Sequence, residues 1–224
     1  MEIHMEKIIS ITAYNLKHQS ILSILVAAIA LFITPILFGT AQLSLTEAAV
    51  PLELFVSLIG IVLITPVFEP EQDEAIYEVA ASKYISPHCV YCIRTVYAVL
   101  LVFLFTGFFA GVLCLRECEM TLWLYLGTVA NAVFLGALGM MTAALADNTI
   151  IAYMIPLVYY ALNYAAGAKL GYYFLFSMQL SDFSPKLWLG ITGGLLIIGS
   201  LILKGLRINR FLHFVKDILR KAIV

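Results

Sequence analysis

Few residues in this 224-residue chain could carry chemistry, because most of its length is apolar. His88 precedes Cys89-x-x-Cys92, a spacing that suits a metal ion or a redox pair. No second ligand pair accompanies it, so two reduced thiols are the simpler interpretation. Glu53 is the only carboxylate within an apolar run, and no histidine lies in one. Metal-assisted chemistry inside a membrane needs such ligands at depth. The sequence therefore predicts no metal site and argues against an intramembrane enzyme.

Neutral polar side chains are the other candidates. Asn131, Asn163 and Thr34 lie inside apolar runs. In hydrocarbon such groups usually hydrogen-bond to a neighbouring helix, and they less often contact a substrate. Two interpretations stay open, interhelical hydrogen bonds and the lining of a transport pathway, and we favour the first.

The chain also lacks a nucleotide-binding signature. The phosphate-binding pattern G-x-x-x-x-G-K-[S/T] occurs nowhere in it. If the protein works against a gradient, the energy must come from another chain, so we expect no cofactor in this one. The net charge of −1 gives no indication of a nucleic-acid partner.

The elements that hold these residues are membrane spans. The chain is 62% hydrophobic and 12% charged, whereas soluble domains average about 45–50% and about 25%. Apolar stretches of about 20 residues suffice to cross a bilayer, and six are present. The predicted spans are residues 20–39, 50–68, 95–115, 121–146, 149–168 and 187–203. The sequence predicts an all-α, polytopic membrane protein, a single transmembrane domain over residues 1–224 with its six spans in residues 20–203.

The basic residues predict the orientation, since Lys and Arg concentrate in cytoplasmic segments. With the N-terminus inside, ten of the 13 fall in inner segments, namely Lys7, Lys17, Lys83, Arg94, Lys204, Arg207, Arg210, Lys216, Arg220 and Lys221. The outer segments hold Arg116, Lys169 and Lys186. Trp123, Tyr125 and Trp188 fall at outer ends of spans, where interfacial aromatic residues concentrate. We expect a cell-membrane protein with both termini in the cytoplasm.

Three segments flank or join the spans. Residues 1–19 and 204–224 each place apolar residues on one helical face and basic residues on the other, which predicts amphipathic helices on the membrane surface. Residues 169–186 are too apolar for a solvated loop and too few for a span. They predict an external hairpin or a re-entrant segment.

The segment 69–87 between the second and third spans is strongly acidic. Pro70 suits the first turn of a helix, and Ser86-Pro87 ends it. One face of this predicted helix carries Ala75, Ile76, Val79 and Ala80, and the other carries Glu71, Glu74, Tyr77 and Glu78. An acidic face repels anionic lipid but suits a protein partner with a basic or polar groove, although a plain solvated face remains the alternative.

In its layout the whole chain resembles the membrane subunits of ABC-2-type ATP-binding-cassette exporters. Those subunits have six spans, internal termini, an amphipathic N-terminal helix and a cytoplasmic coupling helix between spans two and three. The matching residues are the acidic run Glu69, Glu71, Asp73, Glu74 and Glu78, the apolar Ile76 and Val79, the turn Ile85-Ser86-Pro87, then Arg94. Asp182-Phe183-Ser184-Pro185 is similar to the family's external hairpin.

The resemblance implies a permease subunit that pairs with a second copy or a related permease and binds two cytoplasmic ATPase subunits. ATP and Mg²⁺ would bind those partners, and the coupling contacts would be Glu71, Glu74, Tyr77 and Glu78 with Ile76 and Val79. The cargo would be amphipathic or lipophilic, a peptide or a drug-like molecule. The alternative is a non-transporting membrane immunity, scaffold or assembly protein.

Overall fold

A computed structural model describes residues 21–39, 41–72 and 87–222, and gives the side chains of all of these except 70–72, 87–88 and 207–222. The described ranges are helical and contain no strand. Six stretches are long and apolar enough to cross a membrane, which confirms the prediction of an all-α, multi-pass chain. They are span one (Ile21–Phe38), span two (Leu45–Glu69), span three (Cys89–Leu115), span four (Leu122–Ala146), span five (Thr149–Tyr173) and span six (Ser184–Leu206).

The later spans differ from simple helices at their ends. Span three belongs to a helix that begins at Pro87. Proline suits this position because a backbone N–H in the first turn would have no acceptor within the helix. Span five is an α-helix, Thr149–Ala166, followed by a 3₁₀ helix, Gly167–Tyr173. A second 3₁₀ helix, Ser177–Leu180, precedes span six. The helix of span six, Ser184–Ala222, continues past residue 204 without interruption.

Span two begins five residues before the start predicted for it. The Glu47 carboxylate accepts hydrogen bonds from the Ser44 backbone N–H at 2.9 Å and from the Ser44 hydroxyl at 2.6 Å. This contact fixes the first turn of the helix Leu45–Leu54. Because Thr46 and Glu47 are polar, a prediction from apolar length alone does not include this first turn.

Span two is also interrupted along its length. After Leu54 it continues as a 3₁₀ helix, Val56–Leu58, an α-helix, Ile59–Ile64, and a 3₁₀ helix, Thr65–Gln72. Pro51 and Pro66 lie near the first and the last of these three changes, and each removes a backbone donor from the i→i−4 ladder. Backbone bonds from Phe55 N to Pro51 O (3.0 Å) and from Leu58 N to Phe55 O (3.1 Å) carry the chain across the first change.

Spans two and four form the core, whereas spans one, five and six are mostly exposed. Glycines let the two core spans meet backbone to backbone. A Cβ atom on Gly60 would lie 1.8 Å from the carbonyl oxygen of Ala132, and one on Gly136 would lie 2.4 Å from that of Gly60. A Cβ atom on Gly139 would lie 2.1 Å from the Thr65 hydroxyl. Larger residues could not occupy these positions without moving one span away from the other.

The connections gather at two opposite ends of the bundle. At one end, which we call the Lys186 end, lie residues 41–44, 116–121 and 167–183, and Gln42 N donates to Arg116 O at 3.1 Å. At the other, the Lys204 end, spans two and three come together, and the Arg94 guanidinium donates to Val67 O at 3.4 Å. The orientation predicted from the basic residues puts the Lys186 end outside the cell.

Two of the predicted segments lie wholly or largely outside the described residues. They are the amphipathic helix over residues 1–19 and the acidic helix over 69–87, of which only the first and last residues are described. In the predicted amphipathic segment over residues 204–224, the backbone to Ala222 is one helix with span six. Its placement on the membrane surface stays a prediction.

Candidate functional site

A buried ion pair joins span two to span six. The Lys186 ammonium lies 2.6 Å from the Glu53 carboxylate, and the two side chains are 5% and 0% exposed. Glu53 is the ninth residue of the helix that begins at Leu45, so at 1.5 Å per residue it lies about 12 Å along span two. Charges at such depth are costly and are tolerated when they are paired.

Lys186 reaches this depth because span four leaves room for its stem. Gly127 lies beside it, and a Cβ atom there would come within 3.2 Å of the Lys186 Cγ atom. The ammonium group then donates to Asn131 Oδ1 at 3.1 Å and to the carbonyl oxygen of Leu175. With Glu53 as the third acceptor, all three of its N–H donors have partners.

The Glu53 carboxylate holds backbone as well as charge. It accepts from the backbone N–H of Met178 at 2.9 Å and from that of Gln179 at 3.3 Å. Both residues belong to a stretch that enters the bundle between spans five and six, and we call residues 173–180 the inserted segment. Phe174, Leu175 and Phe176 of this segment are buried.

Two asparagines hold the same segment. Asn131 Nδ2 donates to Leu175 O at 2.8 Å. Asn163 Oδ1 accepts from Leu175 N at 2.8 Å, and Asn163 Nδ2 donates to Tyr173 O at 3.1 Å. Irregular backbone at membrane depth is tolerated only where protein groups satisfy it. Here side chains from spans two, four, five and six do so.

A second ion pair lies at the Lys204 end. Lys204 pairs with Asp147, the residue that ends span four. Its ammonium also lies 5.8 Å from the centre of the Phe68 ring, which packs edge to face on Tyr91 at 5.0 Å. These contacts hold span two at the point where the acidic segment begins. Because Asp147 is 45% exposed, we expect this pair to contribute less than the buried one.

The structure brings together two of the three polar residues that the sequence singled out. Asn131 and Asn163 are both fully buried and both bind the inserted segment. Thr34 does not join them, since its hydroxyl donates to Ala30 O of its own helix at 2.8 Å. Of the coupling residues, Glu71 has no described side chain. Glu74, Ile76, Tyr77, Glu78 and Val79 lie outside the described residues.

Sequence reasoning missed Lys186, which it counted among the residues of an outer loop. The available signal was Glu53, because a lone carboxylate in an apolar run needs a cationic partner. Among the residues that the structure describes, no group of three or more His, Cys, Asp and Glu side chains could hold a metal ion. Cys89 and Cys92 are exposed free thiols.

The side chains of Glu53, Asn131, Asn163 and Lys186 bind backbone, bury a pair of charges and connect four spans to one segment. The chemistry of the site is therefore that of a polar clamp. Comparisons of this chain with protein-family models, with curated proteins and with solved structures find no match.

Proposed function

We propose that this chain is the permease subunit of an ATP-driven exporter of the ABC-2 type. It pairs with a second permease chain and takes work from two separate ATPase subunits that bind ATP and Mg²⁺. The cargo is an amphipathic or lipophilic molecule, a peptide or a drug-like compound. In the cell membrane, with both termini cytoplasmic, the Lys204 end faces the ATPases.

The observation that supports this proposal best is the position of span two. It is the core of the bundle, and at the Lys186 end its Glu53 binds the inserted segment. At the Lys204 end it leads, after Gln72, into the acidic segment. A force on that segment would act on the span with the largest buried share of the six, which suits a subunit driven by a partner.

The test is copurification with an ATPase. We expect the full-length protein, isolated in mild detergent from the cells that normally make it, to carry a subunit with a phosphate-binding loop and to hydrolyse ATP. The double variant Glu74→Lys and Glu78→Lys reverses the acidic face, so we expect it to reach the membrane normally but to lose most of the associated ATPase activity.

A matched control reverses two carboxylates at the other end. Glu117→Lys and Glu119→Lys make the same change of charge in the connection between spans three and four. Each carboxylate accepts one long hydrogen bond there, from Gln42 Nε2 at 3.5 Å and from Leu45 N at 3.3 Å, so we expect the activity to stay largely intact. If the well-folded protein carries no ATPase, or if both double variants behave alike, the exporter assignment is wrong. A non-transporting immunity, scaffold or assembly protein would then be the better description.

A further inference from the structure

We propose that Glu53, Asn131 and Lys186 form a releasable lock on the inserted segment, and that displacement of span two opens it. The lock is a property of this chain alone. Only the source of the displacement, a partner ATPase acting through the acidic segment, rests on the function proposed above.

The contacts of Glu53 favour release in one step. Its carboxylate has three partners, the N–H groups of Met178 and Gln179 and the ammonium of Lys186. All three belong to the inserted segment or to span six, and none belongs to span two itself. A shift of span two of about 1 Å takes these groups beyond normal hydrogen-bond distance together.

Loss of Glu53 leaves the hydrogen bonds of Asn131 and Asn163 to residues 173 and 175 in place, but it frees the backbone of Met178 and Gln179. Without Glu53, Lys186 retains Asn131 and the Leu175 carbonyl, but its charge is left buried without a counter-charge. That state is costly at this depth, so the side chain and the backbone it holds are driven toward water at the Lys186 end. Loss of the carboxylate therefore frees one part of the segment and leaves a buried charge that favours opening.

Span two is built to carry a displacement along its length. Val56, Ile59 and Ile64 are almost fully buried along it, and close-packed interiors transmit strain instead of absorbing it. The backbone bonds across the change of helix type after Leu54 keep Glu53 connected to the rest of the span. Tyr160 adds a bond to the Leu54 carbonyl at 2.8 Å.

The close contact at Gly60 provides a way to move span two without changing a side chain of the lock. A Cβ atom at this position meets the Ala132 carbonyl at 1.8 Å, so Gly60→Ala must separate the two spans. Gly60 lies seven residues from Glu53, about 10 Å along the helix. Gly194→Ala is the matched control, since nothing lies within 4 Å of the added methyl group.

Ser177 is a suitable reporter of the locked state. It is 2% exposed, and its hydroxyl makes no hydrogen bond to any residue that the structure describes, so Ser177→Cys disturbs little. The experiment measures the rate at which a maleimide labels this thiol in detergent micelles, in a protein whose four native cysteines are replaced. Ala152→Cys, at a fully buried site on span five, reports general unfolding in parallel samples.

We expect slow labelling of Ser177→Cys in the parent protein. Glu53→Gln and Gly60→Ala should each raise the rate about tenfold or more, because both remove the contacts of the carboxylate. Gly194→Ala should leave it unchanged, and Ala152→Cys should stay protected throughout.

Three results would overturn the inference. Fast labelling in the parent means that the segment is not locked. A response to Glu53→Gln without one to Gly60→Ala means that span two does not control the lock. Parallel exposure of Ala152→Cys means that the carboxylate holds the whole bundle together and does not lock one segment. Because the assay needs no ATPase, its failure is distinguishable from failure of the copurification test.

Discussion

The energetic role of the buried pair can be measured by neutralising its partners singly and together. Lys186→Met keeps most of the side-chain volume but leaves the Glu53 carboxylate buried with only the two backbone N–H donors. Glu53→Gln leaves the ammonium with neutral acceptors only, namely Asn131, the Leu175 carbonyl and the single amide oxygen of the new side chain. Since each side chain is at most 5% exposed, each single change should destabilise the protein by about 3–5 kcal/mol.

The double variant tells more than either single one. With both charges gone, no uncompensated charge is left, so it should be more stable than either single variant, with a coupling energy of about 2 kcal/mol or more. The exchanged pair, Glu53→Lys with Lys186→Glu, should not recover stability. A lysine at position 53 cannot accept the N–H groups of Met178 and Gln179, and a glutamate at 186 cannot donate to the Leu175 carbonyl.

Unfolding in mixed micelles of rising SDS fraction supplies the free energies. The signal is the fluorescence of Trp123 and Trp188, the two tryptophans of the chain, which lie near the Lys186 end. A coupling energy below about 0.5 kcal/mol would show that the two sites act independently. Full stability in the exchanged pair would show that charge alone matters and that the backbone contacts do not, and the reasoning would then be wrong.

Two further predictions use the same measurement. Asn163→Leu removes both hydrogen bonds of the side chain to the inserted segment and should lower the free energy of unfolding by about 1–3 kcal/mol. Thr34→Val loses one bond within its own helix and should lower it clearly less. Equal losses of stability would contradict the assignment of Asn163 to the clamp. Gly60→Ala should destabilise the protein by about 1–3 kcal/mol through overpacking. Gly194→Ala should be neutral or stabilising by up to about 1 kcal/mol. A Gly60→Ala protein as stable as the parent would mean that spans two and four do not touch there.

The number and order of the spans could be predicted from the sequence because a bilayer demands about 20 apolar residues, whatever the partners of the helix. Span four was predicted at 121–146 and observed at Leu122–Ala146. The start of span two was missed because a polar first turn, stabilised by Ser44 and Glu47, precedes its apolar run. Helix boundaries of this kind depend on caps, which apolar length does not record.

For the candidate site, too, local properties could be predicted and long-range contacts could not. The position of Asn131 and Asn163 within apolar runs already predicted that they hydrogen-bond to a neighbouring helix, since polar groups in hydrocarbon need partners. Their common partner, the Leu175 peptide group, was not evident, because it lies 44 and 12 residues away. Lys186 looked like a loop residue for a related reason, since its sequence neighbours do not reveal that the helix of span six already begins at Ser184 and turns the Lys186 side chain inward.

By itself, the sequence determined that this chain is helical, has six stretches long and apolar enough to cross a membrane, and carries an acidic segment between spans two and three. Each of those properties depends on composition and on the pattern of apolar and charged residues within a stretch of about 25 residues. Only the tertiary structure decided which polar residues meet. Glu53 and Lys186 are far apart in the chain, yet glycines on span four let the lysine stem pass and let the core spans close together. That juxtaposition comes from packing between helices, and it converts an isolated carboxylate into a clamp on the inserted segment.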